Sequence, residues 1–133
     1  MGQNRAQESK RGRGKYRGKY NNTPCEEVSA EGVKIRFDSI KEKNRYNELM
    51  ILLKAGEISD LRLQQDFTLI EAFTDYNGVR HRAERYKADF TYTRKDGKYI
   101  VEDVKGGSIT KTKTYEIKKK QMMDKYGISI REV

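Results

Sequence analysis

Residues 86–105 have the sequence YKADFTYTRKDGKYIVEDVK, and this stretch decides the fold because it predicts a β-hairpin. Residues 86–92 and 99–105 alternate between apolar or aromatic and polar side chains, which is the pattern of half-buried strands. The connection at residues 94–97, RKDG, contains the Asp-Gly pair that favours a tight turn. The hairpin therefore brings polar positions of two strands next to each other.

Three charged side chains can converge in this hairpin. Val101, Asp103 and Lys105 occupy alternate positions, so an extended chain points all three to one face of the sheet. Asp89 lies in the first strand, where antiparallel pairing can place its carboxylate opposite the second strand. The arrangement depends on register, because a slip of one residue would turn Asp103 away and bring Glu102 in its place.

The segments before the hairpin predict a strand, a helix and a second strand. Residues 33–37 alternate as Val-x-Ile-x-Phe, and Ser39 with Glu42 has the spacing of a capping box at the start of a helix. Apolar residues then recur at helical spacing and stop before a glycine, and residues 61–69 alternate again as a strand. Residues 74–82 are polar and predict a loop or turn.

The segments after the hairpin predict a basic helix and a closing strand. A glycine break follows Lys105, residues 110–125 have helical spacing, and Gly127 fits a helix stop. Ile128 and Ile130 begin the last strand. The elements together predict an α/β fold with a mixed β-sheet of about four to five strands flanked by two helices, the simplest arrangement that buries their apolar faces.

The first 24 residues differ in composition from the rest of the chain. They contain seven Lys or Arg and one Glu, a local net charge of +6, without an apolar period. Such a segment cannot bury enough surface to offset the entropy of ordering, so residues 1–24 are predicted to be a disordered basic arm and residues 25–133 the folded domain. Its candidate nucleic-acid contacts are Arg11, Arg13, Lys15, Arg17 and Lys19. A solubilising tail is the alternative interpretation.

The composition excludes several classes of protein. The chain has 133 residues, a net charge of +9 and 35% hydrophobic residues, which suits one domain with a modest core. Cys25 is the only cysteine and His81 the only histidine, which excludes an intramolecular disulfide and disfavours zinc sites and histidine-based catalysis. No stretch is apolar enough to cross a bilayer and no signal-peptide pattern is recognised, so a cytoplasmic protein without membrane contact is expected.

Two carboxylates that meet on a sheet need a cation, because their burial and mutual repulsion are unfavourable. Hard oxygen ligands of this kind favour Mg²⁺ or Mn²⁺. Such ions promote phosphodiester hydrolysis by lowering the pKa of bound water and by stabilising charge on the phosphate, and a nearby lysine can activate water or hold the phosphate. Asp89, Asp103 and Lys105 therefore predict a metal-dependent site for phosphate chemistry.

A motif is formed by residues in this order: Phe37, Asp38 and Ser39, then Glu42, then Asp89, then Asp103, Val104 and Lys105. This order resembles the PD-(D/E)xK nuclease superfamily, although Ala88 stands where the superfamily's name has a proline. More closely, residues 33–133 are similar to small phage-encoded endonucleases of this superfamily that are related to Holliday-junction resolvases. That likeness rests on residues 56–61, 63–64, 88–90 and 101–106.

The resemblance implies a restriction-endonuclease-like core and roles for particular residues. The implied metal ligands are Asp89, Asp103, the Val104 carbonyl and Glu42, which reaches the site from the first helix. Lys105 would orient the attacking water or stabilise the charge that develops on the phosphate. Gln64 would support the site or contact the nucleic acid.

Each candidate residue also has a structural interpretation. Glu42 fits the third position of a capping box without any part in catalysis. Asp103 and Lys105 can form an ordinary exposed ion pair. Glu102 points away from Asp103 and is interpreted as structural or as a supporting residue. Lysines of the second helix mark either a solvated surface or contacts with phosphates: Lys111, Lys113, Lys118 and Lys119.

The residues and the resemblance together predict a metal-dependent endodeoxyribonuclease that acts on branched or structured DNA during phage recombination or DNA processing. Two symmetrical cuts in a junction require two active sites, so a homodimer is expected. One alternative is a nucleic-acid-binding protein that keeps the fold and does not cut, using the arm and the basic helix. Another is a basic interaction protein that binds a polymerase, packaging or host factor, which leaves the clustered carboxylates without a purpose.

Overall fold

The computed structural model describes residues 24–28, 32–105 and 112–133. In chain order the elements are β1 (Cys25–Val28), β2 (Lys34–Phe37), α1 (Ile40–Lys54), β3 (Ile58–Ile70), β4 (Phe73–Thr74), β5 (Arg80–His81), β6 (Glu84–Arg94), β7 (Tyr99–Asp103), α2 (Lys113–Tyr126) and β8 (Arg131–Glu132). The described residues form a mixed α/β fold with two helices, which confirms the predicted class. The predicted arm, apart from Pro24, lies outside the described residues.

The main sheet contains four strands in the order β3-β6-β7-β8. β6 pairs antiparallel with both β3 and β7, and β8 pairs parallel with β7, so the sheet is mixed. The predicted hairpin of β6 and β7 is confirmed, with Thr91 opposite Val101 and Phe90 opposite Glu102. Its turn contains Gly97 at φ +86°, a backbone angle that the Asp-Gly pair was expected to supply.

Smaller strands correct three details of the predicted fold. The first predicted strand pairs with β1, which the sequence pattern did not reveal, and the two form a separate sheet. The predicted loop at residues 74–82 begins and ends in a short two-stranded sheet, β4 with β5. β8 begins at Arg131 and not at Ile128, because the Ile128 N–H bonds back to the Met122 carbonyl at the end of α2.

Both helices begin at side-chain caps. Ser39 Oγ accepts a hydrogen bond from the Glu42 N–H at 3.1 Å, and Thr112 Oγ1 accepts one from the Tyr115 N–H at 3.1 Å. α2 ends at Gly127, which has φ +67° and donates to backbone carbonyls of the last turn. Neither described helix is long and apolar enough to cross a membrane.

The sheet is covered by apolar residues on both of its faces. One cluster, which includes residues of α1, consists of Phe37, Tyr46, Leu49, Ile58, Phe90, Tyr92 and Ile100. The other, which includes residues of α2 and its exit, consists of Leu69, Tyr86, Ala88, Val101, Met122 and Ile130. Ile100 and Val101 are consecutive in β7 and belong to different clusters, so this strand is buried from both sides. Its last two residues, Glu102 and Asp103, are therefore buried although both carry carboxyl groups.

Candidate functional site

Asp89 and Asp103 lie side by side where β6 and β7 separate. Phe90 pairs with Glu102, so Asp89 and Asp103 are the next residues outward on the two strands, and their carboxyl groups interact directly. The Val104 N–H donates to Asp89 Oδ2 at 2.7 Å. The register of the hairpin thus brings these two carboxyl groups together and keeps Glu102 away from them.

The surroundings of Asp89 disfavour its charged form. The pKa of Asp89 is raised to about 7: burial is the largest cause, the carboxylates of Glu42 and Asp103 add to the rise, and the hydrogen bond from the Val104 N–H opposes it. A carboxyl group in this position takes up a proton or another positive charge more readily than an exposed aspartate does. The site is therefore favourable to cations.

Glu42 approaches the same point from the first turn of α1. Its side chain is 5% exposed, and Oε1 accepts a hydrogen bond from Gln64 Nε2 at 2.9 Å. Burial raises the pKa of Glu42, and the negative charges of Asp38 and Asp103 contribute to the rise. Ser39 supplies the helix cap, and the carboxylate of Glu42 is held by Gln64 within the electrostatic influence of Asp103.

Gln64 reaches Glu42 from an irregular point in β3. Its φ is +53°, a left-handed conformation that is uncommon for residues other than glycine. Asp60 has φ +52°, and the pairing of β3 with β6 shifts register between Ser59 and Arg62. β3 is therefore distorted along the stretch that leads to Gln64.

Lys105 lies between the end of β7 and α2. Its Nζ is 2.5 Å from Asp103 Oδ2 and 3.3 Å from the centroid of the Tyr115 ring, so the ammonium contacts both a carboxylate and an aromatic face. The Lys105 carbonyl accepts a hydrogen bond from Lys41 Nζ. These contacts with Tyr115 and Lys41 were not predicted from the sequence, since both partners are distant along the chain and neither belongs to a recognisable motif.

Two tyrosines border the carboxylates. Within the described part of the chain, the buried Tyr86 hydroxyl has no hydrogen-bond partner, and burial together with the charge of Asp103 raises its pKa. Tyr115 donates a hydrogen bond to Glu132 Oε1 at 3.2 Å, and burial followed by Asp103 raises the pKa of Tyr115 as well. Both hydroxyls are therefore expected to stay protonated beside the site at neutral pH.

The predicted basic contacts fall into two groups. Arg11, Arg13, Lys15, Arg17, Lys19 and Lys111 lie outside the described residues. On α2, Lys113 is exposed and Lys118 is partly exposed, whereas Lys119 Nζ is 2.7 Å from Glu132 Oε1. Lys113 and Lys118 are therefore better placed than Lys119 to meet a phosphate, because a carboxylate already neutralises Lys119.

The described residues do not contain a group of three or more His, Cys, Asp or Glu side chains arranged as a metal site. They bring Asp103 into direct contact with both Asp89 and Lys105, and Glu42 influences both aspartates while bonded to Gln64. Val104 contacts the site through its N–H, which donates to Asp89 Oδ2. Glu102 lies on the opposite face, where it contacts Arg45 and Tyr92.

The fold and the site define a mixed α/β domain with an acidic, lysine-containing site at the open end of its central hairpin. The chain belongs to the family described as Protein of unknown function (DUF1064), whose model matches residues 17–131. No curated protein and no solved structure matches the chain.

Proposed function

We propose that this protein is an Mg²⁺- or Mn²⁺-dependent endonuclease that hydrolyses phosphodiester bonds in DNA. One observation carries the proposal: the carboxyl groups of Asp89 and Asp103 are in contact, Lys105 is bound to Asp103, and Glu42 approaches from α1. Carboxylates with a lysine at one point of a sheet suit metal-assisted attack on a phosphate.

The donor set fits a hard divalent cation. Three carboxyl groups influence one another, and burial, together with the negative charges of Glu42 and Asp103, raises the pKa of Asp89. Asp89, Asp103, Glu42 and the Val104 carbonyl would hold the ion, since Mg²⁺ and Mn²⁺ prefer oxygen ligands. When bound, the ion lowers the pKa of water and stabilises charge on the scissile phosphate.

The remaining residues of the site have roles that follow from their contacts. Lys105 is held by Asp103 and Tyr115, so its ammonium can donate to a water molecule or a phosphate oxygen at the carboxylates. Gln64 fixes Glu42 by its amide.

The chain's charge favours a polyanionic substrate. Its net charge is +9, and exposed lysines of α2 follow the site in sequence. A basic surface beside an acidic site attracts the phosphate backbone while the carboxylates remain available to a cation. Branched DNA is the substrate that the sequence resemblance favours, and a homodimer would supply the two cuts that a junction needs.

Cleavage assays test the proposal directly. Plasmid DNA and a four-way junction are incubated with Mg²⁺ and either the wild type, Lys105→Ala or Lys98→Ala, which removes an exposed lysine near the other end of β7. We expect the wild type and Lys98→Ala to cut and Lys105→Ala to lose most activity, and EDTA to stop the reaction. Equal cutting by wild type and Lys105→Ala would contradict the assignment.

A nucleic-acid-binding protein that does not cut is the second candidate. It is supported by the net charge of +9 and by the exposed Lys113 on α2, which favour binding to a polyanion. This candidate predicts strongly salt-dependent DNA binding that persists in EDTA and in Asp89→Ala, together with no cleavage of any substrate. Electrophoretic mobility shifts in EDTA, run beside the cleavage assay, distinguish the two functions.

A further inference from the structure

Glu102 has no exposed surface, and its carboxylate is bound at both oxygens. Arg45 Nε donates to Oε2 at 2.9 Å, and Arg45 Nη2 donates to Oε1 at 2.6 Å. The Tyr92 hydroxyl also donates to Oε1. These hydrogen bonds connect α1, β6 and β7 at a single carboxylate.

Stability alone does not explain this ion pair. The free energy lost on desolvating two charges largely offsets their attraction, and apolar residues of similar volume often replace such a pair without loss. The two-point contact between guanidinium and carboxylate is directional, however, and fixes both the distance and the orientation of the groups it joins. The geometry therefore points to a role in orientation.

Both partners of the pair lie next to candidate site residues in the chain. Arg45 follows Glu42 by three residues, about 4.5 Å along the axis of α1. Glu102 immediately precedes Asp103 in β7. The ion pair thus ties the helical turn that carries Glu42 to the strand end that carries Asp103. A displacement of about 1 Å at a catalytic site can lower the rate about 100-fold, so this connection matters for chemistry.

We propose that Arg45 and Glu102 form a positioning clamp that sets the separation of the Glu42 and Asp103 carboxylates. Tyr92 completes the clamp from β6. Neither Arg45 nor Glu102 touches the reacting groups, and both act through their neighbours. The catalytic importance of the clamp rests on the proposed function, whereas its mechanical role, holding the first turns of α1 against β7, does not.

Four full-length proteins test the clamp. The double variant Arg45→Met/Glu102→Leu replaces the ion pair with apolar side chains, and Arg45→Lys keeps the charge but loses the two-point contact. Glu48→Gln is the matched control, because Arg45 Nη1 also bonds Glu48 Oε2 at 2.8 Å on the exposed side of α1. The wild type is the reference.

For each of the four proteins, the experiment measures the melting temperature, hydrogen exchange of residues 40–46 without metal, and Mn²⁺ affinity by calorimetry. It also measures the kcat and KM of DNA cleavage. In the double variant we expect a melting temperature within about 5 °C of wild type, at least about tenfold faster exchange, and Mn²⁺ affinity weakened by about 10- to 100-fold. Its kcat should fall while its KM for DNA is unchanged. The values for Arg45→Lys should lie between those of the double variant and the wild type, and the values for Glu48→Gln should match the wild type.

If both clamp variants exchange amide hydrogens at residues 40–46 at the wild-type rate, the mechanical role is wrong. If both keep the wild-type Mn²⁺ affinity and kcat, the positioning role is wrong. Should the double variant fail to fold, Arg45→Lys decides both questions alone. If the wild type neither binds Mn²⁺ nor cuts DNA, the proposed function and the positioning role fail together. Faster exchange in the clamp variants would still support the mechanical connection in that case.

Discussion

Two carboxylates follow one another in β7 and have opposite surroundings. Glu102 is completely buried, but Arg45 and Tyr92 supply hydrogen bonds to both of its oxygens. Asp103 lies beside Asp89 and under the influence of Glu42, and Lys105 is the ammonium bound to it. The fold therefore neutralises the Glu102 carboxylate with a guanidinium and a hydroxyl group, whereas it brings the carboxyl groups of Asp103, Asp89 and Glu42 within electrostatic influence of one another. Incomplete neutralisation of this kind is typical of functional sites.

The largest difference in activity and stability is expected between two variants, each of which neutralises one of these carboxylates, Asp103 or Glu102. Asp103→Asn should lower the rate of DNA cleavage by about 10³-fold or more. It should change the free energy of unfolding by no more than about 1 kcal/mol, because loss of the attraction to Lys105 is offset by relief of the repulsion from Asp89 and Glu42. Glu102→Gln should lower the free energy of unfolding by about 2 kcal/mol, because the charge of Arg45 loses its buried partner. Single-turnover cleavage and urea unfolding measure these effects. Equal destabilisation by both substitutions would remove the distinction between the two faces.

The pKa of Asp89 predicts how stability depends on pH. The folded-state pKa of about 7 lies above the value of about 3.9 for an unfolded chain, so the folded protein binds the proton more tightly. The free energy of unfolding should therefore fall as pH rises from about 4 to about 7, by a few kcal/mol at most. Asp89→Asn should remove this contribution. Urea unfolding of both proteins in EDTA at several pH values checks the prediction, which fails if their pH profiles are parallel.

A paired substitution on α1 separates helix capping from the site. Glu42→Gln should lower cleavage by about 10- to 100-fold, because the amide keeps the shape but removes the charge of a proposed ligand. Ser39→Ala should cost about 1 kcal/mol of stability through loss of the cap and should leave cleavage unchanged. Cleavage rates and thermal unfolding of the two variants make the comparison. Reduced activity in Ser39→Ala at a temperature where it is folded would contradict these separate roles.

The smallest effect concerns lysines on α2. Lys113→Ala should lower the slope of log affinity against log salt by about one, as expected for one lost phosphate contact. Lys119→Ala should change the slope less, because Glu132 already pairs with Lys119. Fluorescence anisotropy with labelled DNA at several salt concentrations gives both slopes. A larger change for Lys119→Ala would place the DNA-binding surface elsewhere.

The parts of the fold that the sequence predicted are those set by local chemistry. Ser39 begins α1 by bonding a backbone N–H three residues away, and Gly127 ends α2 in a left-handed conformation. Alternation in the hairpin was sufficient to bring Asp89 to Asp103, because the tight turn at Gly97 fixes the register. Each of these features depends on residues within one turn or one hairpin.

The unpredicted parts depend on partners far apart in sequence. Arg45 and Glu102 are 57 positions apart, and no spacing rule identifies which arginine meets a buried glutamate. The contact of Lys105 with Tyr115 depends on how α2 packs against the sheet. β1 was missed because its four residues, CEEV, show no clear apolar alternation. Local sequence patterns do not distinguish between several possible contact partners, and only the packing of the folded chain determines which of them meet.

The left-handed backbone of Gln64 has a consequence for engineering and for natural variation. Glycine or asparagine would adopt φ +53° with less strain, so either substitution is expected to make β3 easier to form. Glycine would also delete the amide that holds Glu42, and asparagine would shorten its reach by one methylene. Selection for thermal tolerance and selection for a correctly held carboxylate should therefore drive this position in opposite directions.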